Sequence, residues 1–411
     1  MKYKWKTIAL IGLFTTQVHA TLIFDDGALH TIDGVVIDDV MLSNGSDLIV
    51  DGFAFIQPTI GEPAIIRSNL SSGGSSQMNV SGNATVMGEI LYRLWVNDED
   101  SVTVDGNALI VGQGEVSSGL GRSAVAGMRR VEVSGNARLL GAHNAVNGGT
   151  AIDNRSSGSL FASVSGGEII GGNGGETGGD GMNGWVDPIY LDMTAGTIQG
   201  GTGGIDGGHG IEAPGEISGT IAGGEIIGGN GGDTGGNAID SYLEAELDIT
   251  GGAFQGGHGG ASGGDALRLL SGLFDTSSVT ISGGSFDAGN GLFDDGWLLH
   301  LIGSGVNVDI TGGLFGYENT GSGLGIFGGS NVNVYGWDLD ITDGLLTGYL
   351  MDSNWIETPV SLAFLDYTLG TINLFNTTSP DPGTSVPEPS TLLLMAAGIV
   401  GLGVAKRKRI T

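Results

Sequence analysis

A motif of the form V/I-x-V/I-S/T-G-G-x-I/F returns along this chain roughly every 28 to 32 residues, and so short a repeat with strand-period alternation leaves few folds open. Its anchor glycine, replaced once by alanine, falls at Gly166, Ala195, Gly223, Gly251, Gly283 and Gly312, with spacings of 29, 28, 28, 32 and 29. Weaker copies with S/D-G-N in place of the glycine pair occur at Gly82, Gly106 and Gly135, and Val50-Asp51-Gly52 reads as an earlier one. Two residues before the anchor the copies align Val80, Val104, Val133, Val164, Met193, Ile221, Ile249, Ile281 and Ile310. Three residues after it come Ile169, Ile198 and Ile226, then Phe254, Phe286 and Phe315. One copy cannot bury such a face, but copies stacked about 4.8 Å apart can. The expected fold is therefore all-β: a single-stranded parallel β-helix, or β-solenoid, with about 28–29 residues per coil. Helix-based repeats of similar length need runs of Ala, Leu, Glu and Lys that these copies lack.

The outward column just before the aliphatic one reads Asp192, Thr220, Asp248, Thr280, Asp309. Threonine thus separates every pair of carboxylates that in-register stacking would bring together.

Between the two apolar columns lies a glycine-rich loop, for example residues 228–239, and glycine's access to positive φ suits a tight, repeated corner. Two polar columns run through it: Asn173, Thr202, Asn230, His258, and Asp180, His209, Asn237, Asp265. They predict hydrogen-bonded corner ladders. The competing reading is cation binding by Glu176, Asp180, Asp206, Asp233 and Asp265. Residues 228–233 match the first six positions of the calcium-binding nonapeptide G-G-x-G-x-D-x-U-x, but Gly235 stands where its apolar residue belongs and the nonapeptides are not in tandem. No confident metal site and no cofactor is expected, beyond loose, nonspecific Ca2+ on an acidic surface.

Enzyme signatures are missing. No H-E-x-x-H or C-x-x-C occurs, and matches to glycine-spaced signatures, such as the G-x-G-x-x-G at 179–184, sit in a chain where one residue in five is glycine. Glu168 and Glu225 share a column two coils apart with Thr197 between them, about 9.6 Å by stacking, which is permissive for glycoside cleavage. No accompanying Arg or Lys is expected. No catalytic residue is expected, with this pair the alternative.

The two ends read as addresses. Lys2, Lys4 and Lys6 precede an apolar run and Val18-His19-Ala20, which predicts a signal peptide over 1–20 cleaved after Ala20. At the other end Pro387-Glu388-Pro389 is followed by an apolar stretch, residues 392–405, and then Lys406-Arg407-Lys408-Arg409. Fourteen residues rise about 21 Å as a helix against a bilayer core of about 30 Å, so this membrane segment is short. Motif, segment and basic stop in this order resemble the PEP-CTERM sorting signal. The resemblance implies recognition by an exosortase-type enzyme, passage through the inner membrane with the tail as transient membrane contact, and association with exopolysaccharide or biofilm.

Without these ends, residues 21–385 hold 8 basic residues, all Arg, against 44 acidic ones, a charge of about −36. That field excludes nucleic acid as a partner, and the absence of Cys leaves burial and hydrogen bonds alone to hold the chain. The expected organisation is an N-terminal cap over 21–60, solenoid repeats over 61–337, a C-terminal cap over 338–378 packed by Trp337, Trp355 and Tyr367, a linker over 379–385 and the sorting signal over 386–411. The expected role is an exported, structural or adhesive component of the cell surface, envelope or matrix, with a β-helical polysaccharide lyase or glycoside hydrolase as the alternative.

Overall fold

The computed structural model describes residues 21–378 except 37–38, 44, 59–62, 69–74, 94–99, 115–120, 156–157, 273–274, 317–321 and 366–367. The signal peptide with Ala20, the linker, Pro387, Glu388, Pro389, the apolar segment 392–405 and Tyr367 therefore lie outside the described residues.

All regular structure among the described residues is β. A first sheet contributes one strand per coil, in a parallel ladder that runs from Leu22–Phe24 through Val40–Leu42, Ile65–Ser68 and Ile90–Arg93 to Ser322–Phe327 and Trp355–Leu365. A second sheet carries the repeat motif on both sides of its turn, as in Ala245–Ile249 and Ala253–Gln255. The chain is a β-solenoid.

Both expected columns are real and in register. Val80 pairs with Val104, Val104 with Val133, and so on to Ile281 with Ile310. All nine are buried and join one continuous core. Phe254, Phe286 and Phe315 stack ring on ring with centroids 4.8 and 5.0 Å apart. Outside, Thr280 Oγ1 donates to Asp248 Oδ1 at 2.7 Å, so the alternation converts repulsion into a hydrogen bond.

The turn explains the motif's two spellings. In the glycine-pair copies it is the second glycine that adopts positive φ, 88° at Gly224 and 93° at Gly252. The anchor itself does not, which is why Ala195 fits there. In the S/D-G-N copies the anchor takes the positive φ, 68° at Gly82 and Gly106, and the following asparagines stack: Asn107 Nδ2 donates to Asn83 Oδ1 and Asn136 Nδ2 to Asn107 Oδ1, both at 3.1 Å.

The glycine-rich loop departs from expectation. Its glycines are not at positive φ; the requirement is space. The arms of each loop and the coil before it press so closely that a Cβ on Gly228 would lie 1.9 Å from the Gly236 carbonyl oxygen across the loop, and one on Gly229 2.0 Å from that of Gly201 in the preceding coil. Their amides form an unbroken spine: Gly149 N–H donates to Ala142, Gly172 to Gly149, Gly179 to Gly172, Gly201 to Gly179, and so on through Gly208, Gly229, Gly236, Gly257, Gly264, Gly289 and Gly296, at 2.7–2.9 Å.

Residues 21–60 are not an irregular cap. Leu22–Phe24 pairs in parallel with Val40–Leu42, Leu29–Ile32 with Asp47–Val50, and Val35–Val36 with Phe55–Ile56. These are solenoid coils of another length: Leu22 to Val40 spans 18 residues and Val40 to Ile65 spans 25, too few to include a glycine lobe. At the C-terminal end the ladder does change character. Asn331–Thr342 pairs antiparallel with Leu345–Leu350, which pairs antiparallel with Trp355–Leu365, while Thr371–Asn376 closes in parallel on Asn331–Thr342. Trp337 stacks on Tyr349 at 5.8 Å and Trp355 meets Tyr349 edge-on at 4.9 Å.

Candidate functional site

Glu168 and Glu225 stand where stacking placed them. Glu168 pairs with Thr197 and Thr197 with Glu225. Contrary to the sequence reading, an arginine does accompany them: Arg138, one coil earlier, donates through Nε to Glu168 Oε2 at 2.6 Å. Both partners are about half exposed, so the pair is a solvated surface bridge of small energetic weight. Glu225 is exposed.

The five candidate cation ligands divide into two groups. Glu176, Asp206 and Asp233 are exposed at the tips of the glycine lobes, where Asp206 lies between Thr177 and Thr234 in the axial stack, and Glu176 and Asp233 are one coil short of touching, with Ile205 between. Asp180 and Asp265 serve the corner ladder. The Asp180 carboxylate accepts the His209 N–H at 2.8 Å, His209 Nδ1 accepts the Asn237 N–H at 3.0 Å, Asn237 Oδ1 accepts the Asp265 N–H at 2.7 Å, and Asp265 Oδ1 accepts the Trp297 N–H at 2.7 Å. Each side chain thus replaces a backbone acceptor for the coil that follows. The second polar column does the same, with Asn173 capped by His143, Thr202 by Asn173, His258 by Asn230 and Asn290 by His258. Among the described residues no three His, Asp or Glu converge as metal ligands.

The structure assembles a third polar column that sequence reasoning passed over. Three residues beyond the corner ladder, the first sheet stacks Asp153, Asn183, Glu212, Asp240, Arg268 and His300 in consecutive coils. Their spacings of 30, 29, 28, 28 and 32 follow the cadence of the repeat, which is the signal that could have found them. They are tightly knit. Asn183 Nδ2 donates to Asp180 Oδ2 at 3.0 Å and to Glu212 Oε2, Asn237 Nδ2 donates to Asp240 Oδ2 at 3.0 Å, Arg268 Nη1 reaches the same oxygen at 3.3 Å, and His300 Nδ1 lies 2.8 Å from Asp265 Oδ2.

Carboxyls outnumber cations here, and that excess sets the electrostatics. Burial, reinforced by the charge of Asp180 and a hydrogen bond to it and by the charge of Asp240, pushes the Glu212 carboxyl up to about 8, so it is protonated at neutral pH. Burial raises Asp153 as well, although Arg155 pulls the other way. Tyr242, two residues past Asp240, is pushed up to about 12 by burial and by the charges of Asp240 and Glu212. The arrangement offers hydrogen-bond acceptors on four successive coils, from Asp153 to Asp240, and one carboxyl that also donates. A hydrolytic pair needs carboxyls about 5–9.5 Å apart, whereas Glu212 and Asp180 are hydrogen-bonded to one another.

Comparison with known proteins finds no similar curated protein and no similar solved structure. A scan against family models matches the tail alone: residues 385–409 are a PEP-CTERM protein-sorting motif, the signal of an exported protein handled by exosortase-type machinery.

Proposed function

We propose that the chain is a structural and adhesive component of the bacterial cell surface or extracellular matrix, associated with exopolysaccharide and without enzymatic activity. The observation that carries this reading is the regular stacking of the body: its conspicuous polar residues are consumed in ladders that hold successive coils together, leaving a long acidic surface. The sorting motif supports a destination outside the inner membrane. Exposed Glu176, Asp206 and Asp233 bind divalent cations loosely, without a defined site. Polysaccharide cleavage is the second reading, favoured by the protonated Glu212 but disfavoured by its contact with Asp180. The test is fractionation of the native host: the protein is expected in the surface or matrix fraction, and a deletion strain is expected to lose matrix cohesion. Release of reducing ends or unsaturated products from polysaccharides by the purified protein, abolished by Glu212→Gln, would overturn the non-enzymatic assignment.

A further inference from the structure

Beside the acidic column stand two exposed aromatic side chains. Two residues beyond Asn183, Glu212 and Asp240 in the chain come Trp185, Pro214 and Tyr242, of which Pro214 is half-buried and the two aromatics are exposed. Trp185 is 52% exposed, and it is held there against its own backbone preference: φ is +52°, unusual for a bulky residue. Two hydrogen bonds fix it, from its N–H to Asn183 Oδ1 and from Nε1 to Asp153 Oδ1, each 2.8 Å. A strained, exposed aromatic pinned by two side chains is a preorganised surface. The column beneath supplies an independent sign of a missing donor. Asp240 is 0% exposed and uses Oδ2 for both Asn237 and Arg268, while Oδ1 is buried with no hydrogen-bond partner among the described residues.

Aromatic faces next to a row of acceptors have the amphipathy of a pyranose, which presents C–H groups on its faces and hydroxyl donors at its rim. We propose that this edge of the first sheet binds an extended glycan lacking acidic groups, with sugar faces on Trp185 and Tyr242 and hydroxyls directed to the column of Glu212 and Asp240. The backbone positions of Trp185 and Tyr242 lie two coils apart, about 9.6 Å, so they meet different sugars of one chain. The body's net charge and the carboxyl column repel uronic acids, which sets the ligand class. The inference rests on the matrix role proposed above and gives it a site.

The experiment is calorimetric titration of the mature protein, purified from its host, with neutral hexasaccharides of glucose, mannose and N-acetylglucosamine, with oligogalacturonate and with hexa-arginine. At least one neutral hexasaccharide is expected to bind. Trp185→Ala and Tyr242→Ala should each weaken it at least tenfold, Trp185→Phe should largely restore it, and Trp355→Ala, an exposed aromatic in the terminal hairpin, should leave it unchanged. Absence of binding by every neutral hexasaccharide, tighter binding of oligogalacturonate, or equal losses in the Trp185 and Trp355 variants would overturn the proposal. So would tight binding of hexa-arginine that Trp185→Ala abolishes, which marks a protein-docking edge. Binding failure in a protein that still fractionates with the matrix sinks this site while leaving the matrix role standing; the converse result separates them the other way.

Discussion

Ile249 and Thr220 occupy neighbouring columns of the second sheet, one facing the core and one facing water, and they give the register its sharpest test. Ile249→Asp buries an unpaired charge and is expected to lower stability by several kcal/mol in a denaturant titration, whereas Thr220→Ser should fall within about 0.5 kcal/mol. Glu212 makes a different kind of prediction. Its carboxyl titrates near 4.5 when unfolded but at about 8 when folded, so the folded state binds more protons between those values. Its contribution is fully present below about pH 4.5 and is lost as pH rises through about 8. Glu212→Gln should therefore flatten the fall in melting temperature across that window. The core columns were legible in the sequence because hydrophobic alternation repeats identically. The acidic column was not, because its members differ in chemistry from coil to coil, Asp, Asn, Glu, Asp, Arg, His, and share only their spacing.

The glycine lobe and the short N-terminal coils show what a motif conceals at the level of the element. Glycine was read as a conformational requirement, yet in the lobe it is a requirement for room. Gly229→Ala should cost about 3 kcal/mol, since the new methyl meets the backbone of Gly201 rather than a side chain that can turn aside. Ala195→Gly, at an anchor with ordinary φ, should cost about 0.5–1 kcal/mol through chain entropy alone. Paired melting curves decide between the two explanations: equal costs would return the lobe to a matter of dihedral angles. Residues 21–60 lacked the motif's spacing because those coils omit the lobe, and loop length is invisible to a search for fixed periods. The break in the repeat after residue 337 was legible, but the antiparallel hairpin that fills it was not, because strand direction leaves no periodic mark.

For the whole molecule, the last strand among the described residues is Thr371–Asn376 and the sorting motif begins at residue 385. Deleting 386–411 should release a folded body into the periplasm or medium, with an unchanged melting temperature. Replacing Pro387, Glu388 and Pro389 with alanine should instead leave full-length protein in the inner membrane, detectable as C-terminal peptides by mass spectrometry. Recovery of those same peptides from the surface fraction of the unaltered strain would mean that the tail is never removed. The spine of glycine amides adds a property that no single coil has. Its links alternate between one that closes within a coil and one donated to the preceding coil, so from Gly296 back to Ala142 they form a single continuous chain of hydrogen bonds. Hydrogen bonds in such a chain polarise one another, so each link is strengthened by the links on either side. The consequence is a shared fate: a lobe that loses its link weakens the lobes above and below it, so the lobes are expected to open together rather than one coil at a time.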